Sequence, residues 1–321
     1  MTAIRPFSTD DYDAFTALHN AVRPEHPFTP TELREEDERL AADPRLRQGR
    51  ILAGADGKLI GYVAYSQNPG MYHPQRFMLE GGVLPAFQGT GIGRGLYESL
   101  LETLAPYDPI SFRATAREDS ERGLRFLSER GFVETMRFWE SVLDVQSFDP
   151  GPHTGREENL AREGIVISTV EELSRSDDRW REKLHELFSQ IREDVPRSEP
   201  ASPITLERFI ELVIEDSMTL HDAWFVARHG ERYVGLSDLY RTASSPDLFT
   251  GLTGVLREYR GRGIALALKL RGIEYARERG VGRIRTNNAS TNRPMLAVNE
   301  KLGFEKEPVW LSLVREIRQA P

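Results

Sequence analysis

Two short runs have the residue types and spacing to do chemistry. Gln88-Gly89-Thr90-Gly91-Ile92-Gly93, with Arg94 next, follows Val83 and opens an apolar helical pattern. Arg260-Gly261-Arg262-Gly263-Ile264-Ala265 follows Val255 in the same way. Glycine permits left-handed backbone and lets the chain approach an anion closely. Successive N–H groups then converge on one concavity, and the helix that follows adds partial positive charge at its first turn. Such a turn suits a diphosphate.

The familiar phosphate loops do not match. Neither run contains the Gly-Lys pair of a nucleotide-triphosphate loop. A dinucleotide fingerprint counted from Gly89 needs glycine at 94, where Arg94 stands; the second copy has Leu266. That fingerprint also belongs near the start of a βαβ domain, whereas these runs come after several strands. The downstream motifs of a kinase are missing.

The two runs are copies. They lie 172 residues apart, and Gly131-Phe132 recurs as Gly303-Phe304 at the same offset. Across residues 82–132 and 254–304, 12 of 51 positions are identical, concentrated on glycines and apolar positions. The repeat divides the chain into domains at 1–148 and 164–321, joined by a linker over 149–163 that opens with the turn formers Asp149-Pro150-Gly151-Pro152.

Each half must then supply the elements that position its turn. In the first, Ala3–Arg5 reads as a strand, and Asp10 can cap a helix to about Val22. A second helix covers 31–42. Asp56-Gly57 joins strands over 50–55 and 59–66 in a hairpin. A strand over 77–84 enters the turn, and Leu96, Leu100, Leu101 and Leu104 mark the buried face of the next helix. A strand over 110–114, a helix over 121–130 and a closing strand over 132–144 complete the half. The second repeats this order: a strand over 165–168, helices over 180–191 and 205–214, and a hairpin over 223–228 and 232–240. A strand over 248–256, a helix over 263–279, a strand over 283–287, a helix over 294–302 and a strand ending at Glu316 follow.

Composition narrows the function. With 39% hydrophobic and 29% charged residues among 321, both halves can fill a core. No cysteine is present, which excludes disulfides, thiolate nucleophiles and cysteine-ligated metal. The seven histidines fall in no metal spacing, so no metal is expected. A net charge of -8 argues against nucleic acid as the main partner. No long apolar run exists, so no membrane association and a cytoplasmic location are expected.

With its turns, its late Gly-Phe pairs, its opening Ile4-Arg5-Pro6 and its paired hairpins, the chain resembles the GNAT superfamily of N-acetyltransferases. In architecture it is similar to tandem acetyltransferases of the mycothiol synthase type. The resemblance implies an α/β fold of two tandem GNAT-like domains, each a mixed, mostly antiparallel central sheet flanked by helices. It also implies acetyl-CoA as co-substrate, with its diphosphate at the two turns. The strand ends 80–84 and 252–256 would pair with the pantetheine like an added strand. Asn292 and Asn299 match positions where relatives place an asparagine near the CoA arm.

The implied reaction transfers an acetyl group directly to a primary amine of a small molecule or peptide. That nitrogen must first lose a proton, and the thioester oxygen needs a hydrogen-bond donor. Glu80, three residues before Val83 on the strand that faces the thioester in relatives, is a general base, or else a solvated strand carboxylate or a salt-bridge partner. Leu252 holds its place in the second half, where Asp247 further upstream is the remaining carboxylate and Thr253 a hydrogen-bond donor. The tyrosine acid of many relatives is replaced by Leu127 and Asn299. Tyr72 and His73, and the run Glu193-Asp194-Val195-Pro196, could line substrate pockets or be solvated surface. Arg257, Arg260 and Arg262 suggest tighter CoA binding by the second half. Two other readings stay open, an acyl-CoA sensor without transfer and a different acyl donor, and the protein is a monomer or a homodimer.

Overall fold

The computed structural model describes residues 2–318. Met1 and residues 319–321 fall outside it, and with them the outer ends of the expected domains 1–148 and 164–321. The chain forms two compact units, Met1–Arg137 with Trp310–Pro321, and Phe138–Val309.

The first unit contains β1 (Ala3–Pro6), α1 (Tyr12–Val22), α2 (Pro30–Ala41), β2 (Gln48–Ala55), β3 (Lys58–Ser66) and β4 (Arg76–Val83). Then come α3 (Ile92–Leu104), β5 (Ser111–Arg117), α4 (Glu121–Ser128) and the start of β6 (Val133–Asp144). The second holds the rest of β6, α5 (Arg156–Arg162), β7 (Ile165–Thr169), α6 (Val170–Ser176), α7 (Trp180–Glu193) and α8 (Leu206–Phe209). It continues with β8 (Thr219–His229), β9 (Arg232–Thr242), β10 (Ser245–Val255), α9 (Ile264–Glu278), β11 (Arg283–Ala289), α10 (Arg293–Lys301) and β12 (Glu305–Lys306). The last strand, β13 (Trp310–Glu316), belongs to the first unit.

Strands run β1-β2-β3-β4-β5-β13 in the first unit and β7-β8-β9-β10-β11-β6 in the second. Only β4–β5 and β10–β11 are parallel; the other neighbours within each unit are antiparallel. Each unit is therefore a mixed, mostly antiparallel sheet with helices against it. The closing strand of each half is not kept by that half. From Phe138 on, β6 pairs with β11, and β13 pairs with β5.

Local chemistry accounts for most elements. Asp56 and Gly57 both have positive φ, 50° and 77°, the combination a tight I′ hairpin requires. Leu96, Leu100 and Leu104 recur every fourth residue on α3 and are buried, while Leu101 is half-buried. The late Gly-Phe pairs are helix stops. Gly131 and Gly303 adopt φ of 79° and 80°, and the amides of Phe132 and Phe304 close back on the carbonyls of Leu127 and Asn299.

Three expectations need correction. Asp10 does not cap α1; the Asp11 carboxylate accepts from the Ser8 N–H and hydroxyl, which starts a short 3₁₀ turn ahead of the helix. The stretch 149–163 is no loose linker, because it carries α5, whose Leu160 is buried in the second core. The helix expected over 205–214 is α8 followed by a π turn, Ile210–Ile214.

Candidate active site

The first glycine turn closes as its residue types require. Gly89 and Gly91 have φ of 79° and 90°, values that side chains resist, and Gly91 caps α3. Thr90 Oγ1 donates to the Phe87 carbonyl (2.7 Å) and Gln88 Nε2 to the Val83 carbonyl (3.0 Å), which fixes the turn from within. A Cβ added at Gly91 would meet nothing, so the outer side of the turn is open to a ligand. The turn, with Arg94, borders a cavity of about 830 Å³, within the size of sites that enclose a whole small ligand.

The cavity lies where the sheet splits. β4 and β5 pair from Arg76↔Ser111 to Leu79↔Ala114 and no further, although β4 stays paired with β3 to Val83. From Glu80 on, the edge of β4 that faced β5 is free to pair with an extended ligand. These residues fit a CoA arm: amides and a helix start for the diphosphate, and a strand edge for the chain behind it.

Glu80 is the first residue beyond the split. Its Oε1 accepts from Tyr62 OH (2.8 Å) and lies 3.0 Å from His19 Nε2, and its Oε2 is 3.1 Å from Arg23 Nη1. Burial pushes the Glu80 carboxyl up, but His19, Arg23 and Tyr62 together outweigh it and hold the group at about 2. Tyr62 is shifted the other way, raised by burial first and then by the Glu80 charge. Even so, 40% of the Glu80 side chain is exposed, because the residue borders two cavities. One is the cleft just described. The other, about 240 Å³, lies among Phe15, His19, Phe28, Leu33, Tyr65 and Met78.

His19 and Arg23 stand one turn apart on α1 and just beyond it, so both meet the same strand. The Arg23 guanidinium stacks over Trp310 (5.1 Å), which places the first residue of β13 in the wall of the larger cavity. Sequence reasoning found Glu80 but not these three partners. His19 and Arg23 at i and i+4 were the available signal, and nothing local joins them to a strand more than fifty residues on.

The second unit repeats the backbone and changes the chemistry. Gly261 and Gly263 take φ of 80° and 82°, and β10 leaves β11 after Phe249↔Arg285. At the split, Leu252 replaces Glu80, and its N–H donates to Asp238 Oδ1 (2.8 Å). The arginine surplus read from the sequence is engaged elsewhere. Arg257 and Arg260 both bind the Asp194 carboxylate, Arg260 Nε also donates to the Val255 carbonyl, and Arg262 lies 3.7 Å from Glu163. Asp194 is held down at about 2, by Arg257 first.

The remaining candidates each have partners within the fold. Asp247 is buried, and Arg283 and Arg285 each take one of its oxygens, which clamps β10 to β11 at the parallel pairing. Asn292 caps α10 by accepting from the Met295 N–H. Asn299 is buried and donates to Asn288 Oδ1 (2.6 Å). Thr253 bonds the Ser237 hydroxyl (2.8 Å). Tyr72 OH donates to the Arg45 carbonyl and His73 Nδ1 accepts from the Gln75 N–H; neither borders the two cavities. Among the described residues no cluster could hold a metal ion, and no helix is long and apolar enough to cross a membrane.

Two copies of a split sheet with a positive-φ glycine turn after the split define the fold of an acyl-CoA-dependent transferase. Residues 13–132 and 181–304 both match the acetyltransferase (GNAT) family, and the chain belongs to that family. No curated protein matches the chain in sequence. The solved structure of a GCN5-related N-acetyltransferase from Sphaerobacter thermophilus superposes with a TM-score of 0.74 at 22% identity, over 100% of this chain and 97% of that one. A tandem GNAT protein from the clavulanic acid biosynthesis pathway also gives 0.74, at 20% identity and with 100% of both chains covered. A glucosamine N-acetyltransferase region of a fungal multi-domain beta-N-acetylglucosaminidase gives 0.71 at 16% identity, over 98% of this chain and 38% of that one. At such identities the likeness is one of fold.

Proposed function

We propose that the chain is an N-acetyltransferase whose first unit moves an acetyl group from acetyl-CoA directly to a primary amine of a small molecule or peptide. The observation that carries this reading is Glu80, which borders both the larger cleft and the smaller cavity. Acetyl-CoA in the larger cleft supplies the acyl thioester. The amides from Gly89 to Gly93 and the first turn of α3 would hold its diphosphate, and the free edge of β4 its arm.

The acceptor enters from the smaller cavity, whose walls combine the apolar Phe15, Phe28 and Leu33 with the charged Glu36, Arg50 and Arg113 and suit a compact body with polar groups. Glu80 attracts its amino group as an anion that stays ionised at every physiological pH. A carboxylate this acidic is a weak base toward a free ammonium. It suffices once the nitrogen shares its lone pair with the acyl carbon, because the N–H then becomes strongly acidic. Glu80 accepts that proton, and His19, Arg23 and Tyr62 keep its oxygens in place. An N–H on the free edge of β4 stabilises the developing oxyanion.

The second unit has Leu252 in place of this carboxylate and Asp194 across its arginines, which supports a reading in which it binds without turning over an external amine. Thiol release from acetyl-CoA in the presence of an amine panel tests the proposal. Wild type sustains thiol release over many turnovers only with acceptor present, and Glu80→Gln does so about a hundredfold more slowly. Equal rates in the two proteins would remove Glu80 from the reaction.

A further inference from the structure

Lys269 on α9 has no part in the transfer just described. It is 5% exposed, and its Nζ has no hydrogen-bond partner and stands 4.9 Å from the centre of the Phe304 ring. At the offset of the repeat, Lys269, Asn299 and Phe304 replace Tyr97, Leu127 and Phe132, all three of which border the larger cleft of the first unit. Lys269 therefore occupies, in the second unit, the position that borders the acyl-donor cleft in the first.

A second polar atom there is also without a partner. Asn299 Oδ1 is buried and unbonded, while the Nδ2 of the same amide is fixed by Asn288. Buried polar atoms are rarely left unpaired, because losing water without a replacement is costly. Here the two are a donor and an acceptor at positions whose first-unit equivalents, Tyr97 and Leu127, border the larger cleft, and the pair is complementary to the carbonyl and amide groups of a pantetheine thioester. The charge that acts on Lys269 is that of Asp238, whose carboxylate accepts from the N–H of Leu252, three residues past the last β10–β11 pair. Burial pulls the Lys269 amine down to about 7, and Asp238 only partly offsets it, so near neutral pH a large share of the amine carries a lone pair.

We propose that Lys269 is an acylation site, taking an acyl group from an acyl-CoA held in the cleft of its own unit. The inference rests on the reading that these clefts bind acyl-CoA. The Nζ lone pair attacks the thioester carbonyl carbon, and the C–N bond forms as the C–S bond breaks. Sulfur leaves with the bonding electrons and takes up the proton that the nitrogen loses. The products are an acylated lysine and free CoA thiol. The event happens once per chain, removes the buried positive charge and fills the cleft with the acyl group.

Peptide mass spectrometry of the full chain, incubated with acetyl-CoA at pH 7.5 without acceptor, tests it. The exposed Lys58 and Lys301 report the uncatalysed background. Lys269 is expected to gain its acetyl group about tenfold faster than either, despite its burial, and excess CoA should suppress the difference by competition. Acetylation of Lys269 no faster than of those two overturns the proposal. Equilibrium dialysis with labelled CoA separates the two ideas. A chain that binds CoA while Lys269 stays unmarked contradicts acylation alone, and a chain that binds none contradicts both.

Discussion

Val22 at the end of α1 stands over Gly82 of β4 so closely that a Cβ on Gly82 would lie 2.1 Å from Val22 Cγ1. The second unit has the same arrangement, with Ile191 of α7 at 2.2 Å from a Cβ on Gly254. The glycine lets α1 press onto β4, and that contact brings His19 and Arg23 within reach of Glu80. Gly82→Ala should push the helix outward and lower kcat roughly tenfold through lost positioning, while Val22→Ala in the same chain restores most of the rate. Steady-state kinetics of the two single variants and the double variant measure this. Additive losses would mean that the contact does not position Glu80.

Glu80 also makes stability depend on pH. Its folded-state value, about 2, lies below its ordinary 4.5, so its contribution is fully present above about 4.5 and is lost as pH falls toward 2. Thermal melts from pH 5 to pH 2 should show a steeper acid loss for wild type than for Glu80→Gln. The pH–rate profile should carry no limb from Glu80 between pH 5 and 8 and should rise with deprotonation of the acceptor amine. A rate limb near pH 6 that disappears in Glu80→Gln would contradict an acidic Glu80.

Asp194 occupies the arginines of the second turn that a CoA phosphate would otherwise meet. Replacing it with Ala frees Arg257 and Arg260, and CoA affinity at the second turn should rise about tenfold, as a charge-assisted contact to phosphate predicts. Isothermal titration should then resolve a second, tighter binding event. Unchanged binding would mean that the clasp leaves the turn accessible.

Lys269 shapes the alkaline side. An amine held at about 7 in the fold and at its ordinary 10.5 when unfolded binds fewer protons folded than unfolded between those values. Wild-type stability should therefore gain with rising pH across that window, and Lys269→Met should lack the gain and be the more stable protein at pH 7. Denaturant titrations at pH 7 and 9.5 compare them directly.

Features that one stretch of chain determines were legible in the sequence. The glycine turns, the Asp56-Gly57 hairpin and the leucine face of α3 each depend on residues within a few positions, so pattern alone located them. Glu80 was legible because its place is counted from Val83 on the same strand. The partners of Glu80 were not, since α1 and β3 reach it only through the packing of Val22 on Gly82 and the pairing of Tyr62 with Gly82. The strand exchange was hidden for a related reason. β6 and β13 each carry an ordinary strand pattern, and nothing in that pattern says which sheet they join. The pairing of the second turn's arginines was not legible, because charge counting does not bring Asp194, more than sixty residues earlier, to the turn.

Diffraction from crystals grown with CoA tests the central claim most directly. The account predicts its diphosphate against the amides of residues 89–93, with the sulfur end reaching the split between β4 and β5 beside Glu80. Density for the ligand at the second turn alone, with the first cleft unfilled, would contradict it.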